Sequence, residues 1–598
     1  MINVSDDYKN ACNKNVISSY VVSKIGFYDK EAKGSINSVT STNKLSICDL
    51  SKTYNNIKTS NINYITCEPN RVKLDGSFVF MKWESNSNTD IAYWSDNVSN
   101  GNGDFSTTIS IEYTFSKQIS FTFLSLHFQE VCADLDINYY LKNELIYTRQ
   151  IRDNNLLSFE TYDSENPNPI QYFDKISIVF LKTKEPYRRI RFNEIDFGSY
   201  ETIEKDKITE LSMIKECSID SSDLPSSSCN ITIRDDKGDY DILNPNNKLR
   251  FLQERQEISL YHYLKVKNQY KEVSLGTFYL KNFNYSNRKL ELECYDITYF
   301  MNQTYYESPF YTNGSATKIL TDIFNKMNYD RKKYNISSEL DSIYFWGYIP
   351  VVSFKEALRI VAEACNAIIT IGNYGVIKIF KNSNNNVSAK DFELKEISES
   401  KPTQNLYNNV IDIAEYAYVA SYSDKKIYSK KMNKGTYTIK FTEFPICYYK
   451  YKDDFSLIKS DTSDKDKYNI LSLGACACTI EVLEDSTNVE LKAWIYNDNK
   501  VTKRFQKDNI NSNDEYYIGE IDNPLIDKNN SVNLANWKLN RKEINYSFKS
   551  NIMPYLELGD LCTQTIPYKR ITGEEIKKDF VITKLELNLG IKQNVEGE

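Results

Sequence analysis

The residues best suited to bind a ligand lie in the first third of the chain. They are three aromatic side chains, Trp83, Tyr93 and Trp94, and two cationic ones, Arg188 and Arg189. An exposed ring can stack on the C–H face of a sugar, and arginine can donate hydrogen bonds to sugar hydroxyls. The same residues also fit the packed interior and the solvated strand face of a β-sandwich. The sequence therefore leaves a glycan contact and plain packing as alternatives.

A catalytic site is not expected from the residue types. The chain holds only two histidines, His127 and His262, which are far apart in sequence. Ordinary metalloenzymes and Ser–His or Cys–His nucleophile systems rely on histidine as ligand or base, so both classes are disfavoured. The glycines form no phosphate-binding loop. Pairs of carboxylates can be picked anywhere among 81 acidic residues. We therefore predict no enzyme activity, no cofactor and no metal site.

The cysteines do not form a recognisable metal site either. Twelve are scattered along the chain, and only Cys476 and Cys478 are close together. On a strand this spacing points both thiols to the same face, but a second pair and a nearby histidine are lacking. The pattern predicts buried free thiols in a protein made in a reducing cytosol.

Charge and hydropathy set further expectations. No apolar run approaches the roughly 20 residues that cross a bilayer, so no membrane span is expected. Asp6 and Asp7 stand where a secretory signal has a basic flank and an apolar stretch. An isoelectric point near 5.4 argues against nucleic acid as a specific partner.

The elements that would position these residues are mainly strands. A length of 598 residues fits about four domains, and the 46 tyrosines favour pleated surfaces and interfaces. Alternating apolar residues in Ile109–Phe115 and Ile119–Leu126 predict an antiparallel β-sandwich over residues 46–198. Ser315 as an N-cap, and Ser353 with Glu356 as a capping box, predict two helices of a small α+β module. The composition favours a large, soluble, β-rich interaction protein.

Several stretches resemble known families. Ile65–Val79, Tyr93–Ser95 and Tyr187–Gly198 resemble a galactose-binding-like module in tail proteins of phages of low-GC Gram-positive bacteria. A second group resembles the first barrel of tail-hub or baseplate-hub proteins: Met213–Pro225, Asp239–Pro245, Leu275–Leu280 and Cys294–Ile297. The helix after Ser315 and the stretch Pro554–Asp560 fit the later part of that architecture. The resemblance is strongest over residues 45–320 and weakest over residues 400–530.

The resemblance implies a mainly β fold, with an N-terminal sandwich, hub-like β-barrel domains and a small α+β part. The implied division is a hub-associated segment at 1–45, the galactose-binding-like sandwich at 46–198, a first hub-like barrel at 199–310, the α+β module at 311–400, a β-rich domain at 401–530, and a helix with closing strands at 531–598.

For function, the resemblance implies a structural virion component at the baseplate of a phage tail or of a phage-tail-like bacteriocin particle. Such a hub is a homotrimer that joins the tail tube protein to the spike and to other baseplate proteins, and it is assembled in the cytoplasm of the bacterial host. The sandwich would brace neighbouring baseplate proteins or touch cell-surface glycans. The alternatives are a glycan-binding receptor protein of the tail and, less favoured, a cell-wall hydrolase.

Overall fold

The structure, a computed structural model, describes the chain from residue 2 to residue 597 except for some short segments. The residues left out are 3, 15–16, 29, 55–63, 67, 70, 72–77, 79–90, 122–123, 162–169, 245–247, 382–387, 405–408, 448–463, 508–516, 540–543, 570–572, 574 and 589–591.

The described chain is mainly β and divides into two compact units. The sandwich unit comprises Lys24–Thr202 and Lys237–Gln256, and the larger unit comprises Met1–Ser23, Ile203–Asp236 and Glu257–Glu598. The prediction of a mainly β fold with several sheets is confirmed.

The elements up to residue 203 are, in chain order, α1 (Asp6–Cys12), β1 (Ser19–Tyr28), α2 (Lys30–Gly34), β2 (Ile36–Ser41), β3 (Tyr93–Trp94), β4 (Asp104–Phe121), β5 (Ser125–Phe128), β6 (Cys132–Leu141), β7 (Glu144–Ile151), β8 (Ser158–Glu160), β9 (Ile170–Thr183), β10 (Arg191–Asp196) and β11 (Gly198–Ile203).

The elements that follow are β12 (Ile208–Glu216), β13 (Ser228–Arg234), β14 (Glu257–Val266), β15 (Gln269–Ser286), β16 (Lys289–Tyr295), β17 (Thr304–Tyr305), β18 (Tyr311–Ser315), α3 (Ala316–Lys326), β19 (Tyr334–Ile336), β20 (Tyr344–Gly347), β21 (Val352–Ser353), α4 (Phe354–Ala364), β22 (Ala367–Ile371), β23 (Ile377–Lys381), β24 (Lys390–Phe392), β25 (Thr403–Gln404), β26 (Val410–Glu415), β27 (Tyr418–Met432), β28 (Gly435–Lys440), β29 (Tyr468–Leu473), β30 (Ala477–Val482), β31 (Thr487–Asp498), β32 (Val501–Gln506), β33 (Tyr517–Ile521), α5 (Lys528–Leu539), β34 (Ile544–Asn551), β35 (Leu561–Lys569), β36 (Glu575–Asn588) and β37 (Lys592–Gly597).

The sandwich unit is built from two antiparallel sheets over one core. One sheet has the order β2-β4-β9-β6-β7 and the other the order β3-β10-β5-β8. Alternate residues of β4, such as Ile109 and Tyr113, are fully buried because period-two patterning sends them to the core face. The ring of Phe180 on β9 lies 5.8 Å from the rings of both Tyr93 and Phe192, on β3 and β10 of the facing sheet.

The larger unit contains one long sheet assembled from distant parts of the chain. Its order runs β14-β15-β16-β13-β12-β36-β37-β34-β25. The strands of residues 199–310 are therefore continued by C-terminal strands, through the pairing of β12 with β36. The described strands do not close into a barrel, which corrects the prediction of a separate barrel over 199–310. The six-segment division of the chain itself stays a prediction.

The α+β module forms as its helix caps predict. The Ser315 hydroxyl accepts a hydrogen bond from the Lys318 N–H at 3.3 Å, and Ser353 accepts from Glu356 at 3.1 Å. The buried face of α3 includes Ile319, Leu320, Ile323 and Phe324. Strands β22 and β23 pair antiparallel behind the helices. A further pair of sheets, β27-β31 and β28-β30-β29, follows within the larger unit.

Candidate functional site

The structure places the predicted aromatic residues inside the sandwich. Trp83 lies outside the described residues. Tyr93 and Trp94 on β3 are 0% and 2% exposed, and the Tyr93 hydroxyl donates to the Thr42 carbonyl at 3.1 Å. A sugar stacks only on an exposed ring, so this burial contradicts the stacking role predicted for Tyr93 and Trp94. Packing, the alternative reading, is what the structure supports for these two rings.

The two predicted arginines are half-buried and bind backbone carbonyls. Arg188 donates from Nη1 to the Pro69 carbonyl at 2.7 Å, and Arg189 donates from Nη1 to the Ser95 carbonyl at 2.8 Å. Both side chains tie segments of the sandwich together. A glycan contact through Arg188 and Arg189 stays a prediction.

The cation that organises this region is Arg191, which lies two residues further on. It is 0% exposed, its Nη1 donates to Glu130 Oε1 at 3.0 Å, and its Nη2 pairs with Glu68 Oε2. Its guanidinium carbon lies 4.4 Å from the centre of the Trp94 ring, a cation–π distance. The polar face of β10 was expected to be solvated; this residue is instead covered and paired with two carboxylates, although its Nε has no hydrogen-bond partner among the described residues, which corrects that expectation.

A second arginine completes the charge balance around Arg191. Arg71 Nη1 lies 3.0 Å from Glu130 Oε1 and 3.6 Å from Glu68 Oε2. Burial raises the pKa of Glu130, and Arg71 opposes that rise. Two cations thus face two carboxylates in a largely buried cluster. These ion pairs fix the positions of the four side chains and do not form an open binding site for a ligand.

The sequence missed a contact between a serine, a histidine and an aspartate on the same sheet. His127 on β5 lies 3.0 Å through Nδ1 from the Ser158 hydroxyl and 2.9 Å through Nε2 from Asp196 Oδ2. The residues sit on three adjacent strands, β8, β5 and β10, so the pairing of the strands brings them together. In Ser–His–Asp hydrolases the ring nitrogens have the opposite partners. Here the three side chains connect strands β8, β5 and β10 by hydrogen bonds.

In the larger unit, a buried polar joint connects three parts of the chain. Lys215 on β12 pairs through Nζ with Asn373 Oδ1, in the turn between β22 and β23. The Asn373 N–H donates to Glu557 Oε1 at 3.0 Å, and Lys378 Nζ donates to Glu557 Oε2 at 2.7 Å. The Ser274 hydroxyl on β15 donates to the Asn373 carbonyl at 2.7 Å.

The pKa values of Lys215 and Glu557 are both shifted by burial and by their neighbours in this joint. Burial lowers the pKa of Lys215 to about 8, against the opposing effect of Glu557. Burial by itself raises the pKa of Glu557, but the hydrogen bond and charge of Lys378 outweigh it, and the pKa falls to about 2. Both groups are therefore charged at neutral pH and hold the α+β module on the long sheet.

The described residues contain free thiols but no arrangement suited to bind a metal ion or to span a membrane. The eleven described cysteines, all but Cys67, are free and buried, which confirms the prediction of buried thiols for them. Burial raises the pKa of Cys12 to about 12. Within the described ranges, no group of three or more His, Cys, Asp or Glu side chains is arranged to hold a metal ion. Among the same residues, no helix combines the length and apolar character that a bilayer crossing needs.

Comparisons with known proteins find similarity in structure but not in sequence. No family model matches the chain, and no curated protein does. Over about two thirds of its length the chain is similar to solved phage tail proteins. The 43 kDa tail protein of prophage MuSo2 from Shewanella oneidensis matches at 9% identity and a TM-score of 0.36, over 67% of this chain and 95% of that one.

Two other solved structures give similar values. Prophage tail protein gp18 from Listeria monocytogenes matches at 9% identity and a TM-score of 0.33, covering 67% of this chain and 91% of that one. The E. coli c3393 protein, a type VI secretion component with structural similarity to T4 tail proteins gp27 and gp5, matches at 7% identity and a TM-score of 0.30, covering 65% and 73%. Scores below 0.5 do not establish a common fold.

Proposed function

We propose that this chain is a non-enzymatic structural subunit of a phage tail or phage-tail-like bacteriocin particle, located at the baseplate hub. The observation that carries the proposal is the assembly of the hub-like stretches. Met213–Pro225 and Pro554–Asp560 are far apart in the chain, yet both contribute to the joint of Lys215, Asn373 and Glu557. Leu275–Leu280 and Cys294–Ile297 lie on or directly after strands of the long sheet beside them.

A hub must transmit force between neighbours without changing shape, and the buried joint suits that task. Buried ion pairs specify the relative positions of the segments that they join, even where they add little to the free energy of unfolding. In the proposed role three copies of the chain form a ring that joins the tail tube protein to the spike. The sequence resemblance of the sandwich to galactose-binding-like modules supports, within this proposal, a low-GC Gram-positive host and a sandwich that braces neighbouring baseplate proteins.

The experiment is to purify tail-like particles from producing cells and count this chain by quantitative mass spectrometry against the other tail proteins. The proposal expects three copies in each particle. Six or twelve copies would move the chain from the hub to a surrounding ring of the baseplate. Absence of the chain from purified particles would overturn the proposal.

The non-enzymatic part of the proposal has its own test, because the exposed Ser158 hydroxyl lies within hydrogen-bond distance of His127. A fluorophosphonate probe, which labels activated serines, should leave the full chain unlabelled, and a His127→Gln variant should behave identically. Labelling of Ser158 that disappears in His127→Gln would contradict the non-enzymatic role.

A further inference from the structure

Strand β7 is an open edge of the sandwich. It is the last strand of its sheet, and within the described part of the chain it pairs only with β6. It is eight residues long, and Leu145 and Ile146 on it are 57% and 43% exposed. Natural edge strands are usually short, bulged, proline-containing or marked by exposed charges, since a flat apolar edge invites another strand. β7 has an exposed charge, Glu144, and a bulge at Ile146 near its start, but its register from Tyr147 to Ile151 is regular, so this stretch offers an open pairing edge.

A buried cation without a hydrogen-bond partner lies on the same strand. Arg149 is 7% exposed, and in the described structure its buried Nε and Nη1 atoms have no hydrogen-bond partner. Its guanidinium carbon lies 6.0 Å from the centre of the Tyr147 ring. The buried hydroxyl of Tyr139 also lacks a partner among these residues. Burying a charged donor without an acceptor costs several kcal/mol, so this position favours an added acceptor.

The register of the hairpin shows where that acceptor must come from. Arg149 is opposite Ile137, and Tyr147 is opposite Tyr139, on the side of the sheet that faces the core. A strand added along the free side of β7 would place one side chain beside Arg149 and its second neighbours beside Tyr147 and Ile151. Charge complementarity requires an acid at the first position, and the partly buried ring and aliphatic group favour apolar residues at the other two.

We propose that β7 binds an extended acidic segment of a neighbouring tail protein by strand addition, with an aspartate or glutamate of that segment paired to Arg149. Main-chain hydrogen bonds supply affinity in this mode, and alternate side chains supply specificity. The identity of the neighbour as a tail protein rests on the proposed function. The strand addition depends only on β7 and Arg149, so the two can fail separately.

The test uses the full chain and fluorescent peptides as long as β7, eight residues, with alternating threonine and valine. The central core-facing valine is replaced by glutamate, glutamine or lysine, and binding is followed by fluorescence anisotropy. The glutamate peptide should bind at least about tenfold more tightly than the other two. Hydrogen exchange should show new protection of the backbone amides of Glu144–Ile151 with that peptide and no comparable change in β2, at the other end of the same sheet.

Two variants make the result specific. Arg149→Met removes the charge and keeps most of the volume, and it should abolish the preference for glutamate while the chain stays folded. Arg152→Met, at a half-exposed arginine already paired with Asp136 at 2.7 Å, should keep the preference. Failure of all peptides to bind, an equal affinity for the three, or a preference that survives in Arg149→Met would each overturn the proposal. So would pairing of β7 with a second copy of this chain that the glutamate peptide does not displace.

Discussion

Two arginines of the sandwich unit are almost equally buried and have opposite surroundings. Arg191 on β10 is fully enclosed, donates to Glu130, pairs with Glu68 and lies over the Trp94 ring. Arg149 on β7 is 7% exposed, and its buried Nε and Nη1 atoms have no hydrogen-bond partner among the described residues. One position has its counter-charges built into the chain, and the other does not.

The difference shows how burial alone misleads about function. A buried cation with its counter-charges in place fixes the sandwich and does not need a ligand to balance its charge. A buried cation without partners on an open edge strand lowers stability unless something else supplies the acceptor. The four described residues among the five predicted from the sequence, Tyr93, Trp94, Arg188 and Arg189, lie near the first kind of position, and the more promising surface lies at the second.

The largest expected effect separates the two arginines directly. Arg191→Met leaves Glu68 and Glu130 without their main cation and should cost about 3–5 kcal/mol of unfolding free energy. Arg149→Met removes a charge that has no acceptor and should cost nothing, or stabilise by about 1 kcal/mol. Urea denaturation of the full chain, with hydrogen exchange to locate the change in β10 or β7, measures both. Equal losses in the two variants would break the comparison.

The buried joint of the larger unit extends the comparison to an ion pair, that of Lys378 with Glu557. Glu557 has a pKa of about 2 in the folded chain against 4.5 in the unfolded one. The contribution of this pKa difference to the free energy of unfolding, roughly 3 kcal/mol, is present above pH 4.5 and is lost as the pH falls toward 2. Glu557→Gln should remove that part of the acid dependence.

The control for that measurement is an exposed carboxylate of the same unit, Glu443→Gln, which should leave the acid limb of the stability curve unchanged. Stability is followed by denaturation at a series of pH values. An acid limb that is identical in Glu557→Gln and in the unmodified chain would show that the joint does not contribute as described.

A smaller, local pH effect is expected where the N-terminal helix meets the long sheet. Burial lowers the pKa of His262 on β14 to about 4, from 6.5, and Tyr8 on α1 lies 3.4 Å from its Nδ1. The unfolded chain therefore binds more protons between pH 6.5 and 4, so stability falls as the pH drops through this range. The loss is limited because the chain can release the short helix α1 alone. Hydrogen exchange of α1 should speed up in this range, and an unchanged rate would contradict the assignment.

The smallest effect repeats the comparison with two tyrosines. The buried Tyr113 hydroxyl donates to the Thr53 hydroxyl at 2.9 Å, so Tyr113→Phe should cost about 1 kcal/mol. The buried Tyr139 hydroxyl has no partner in the described residues, so Tyr139→Phe should be neutral or slightly stabilising. Thermal denaturation of the two variants side by side decides the point, and the reverse order would contradict it.

Local structure could be predicted from the sequence where local chemistry determines it. Period-two patterning gave the strands of the sandwich, and Ser315 and Ser353 gave the starts of α3 and α4. Burial of polar residues could not be predicted in the same way. Alternation points Arg191 away from the neighbouring core residues Ile190 and Phe192, but nothing local indicates that Glu68 and Trp94 cover it.

Pairings between segments that are distant in the chain also could not be predicted from the sequence. The contact of His127 with Ser158 and Asp196 depends on which strands are neighbours, not on spacing along the chain. The prediction of a separate barrel over 199–310 was wrong for the same reason, because β12 pairs with β36 from the C-terminal region. Local patterns determine strands, and only the complete topology determines sheets.

The most direct test of the structural role is a cryo-electron microscopy map of the intact tail-like particle at a resolution that traces this chain. The account predicts three copies around the tail axis, between the tube and the spike, with the long sheet of the larger unit in the ring. A map that places the chain off the axis in another copy number, or that does not contain it, would contradict the account.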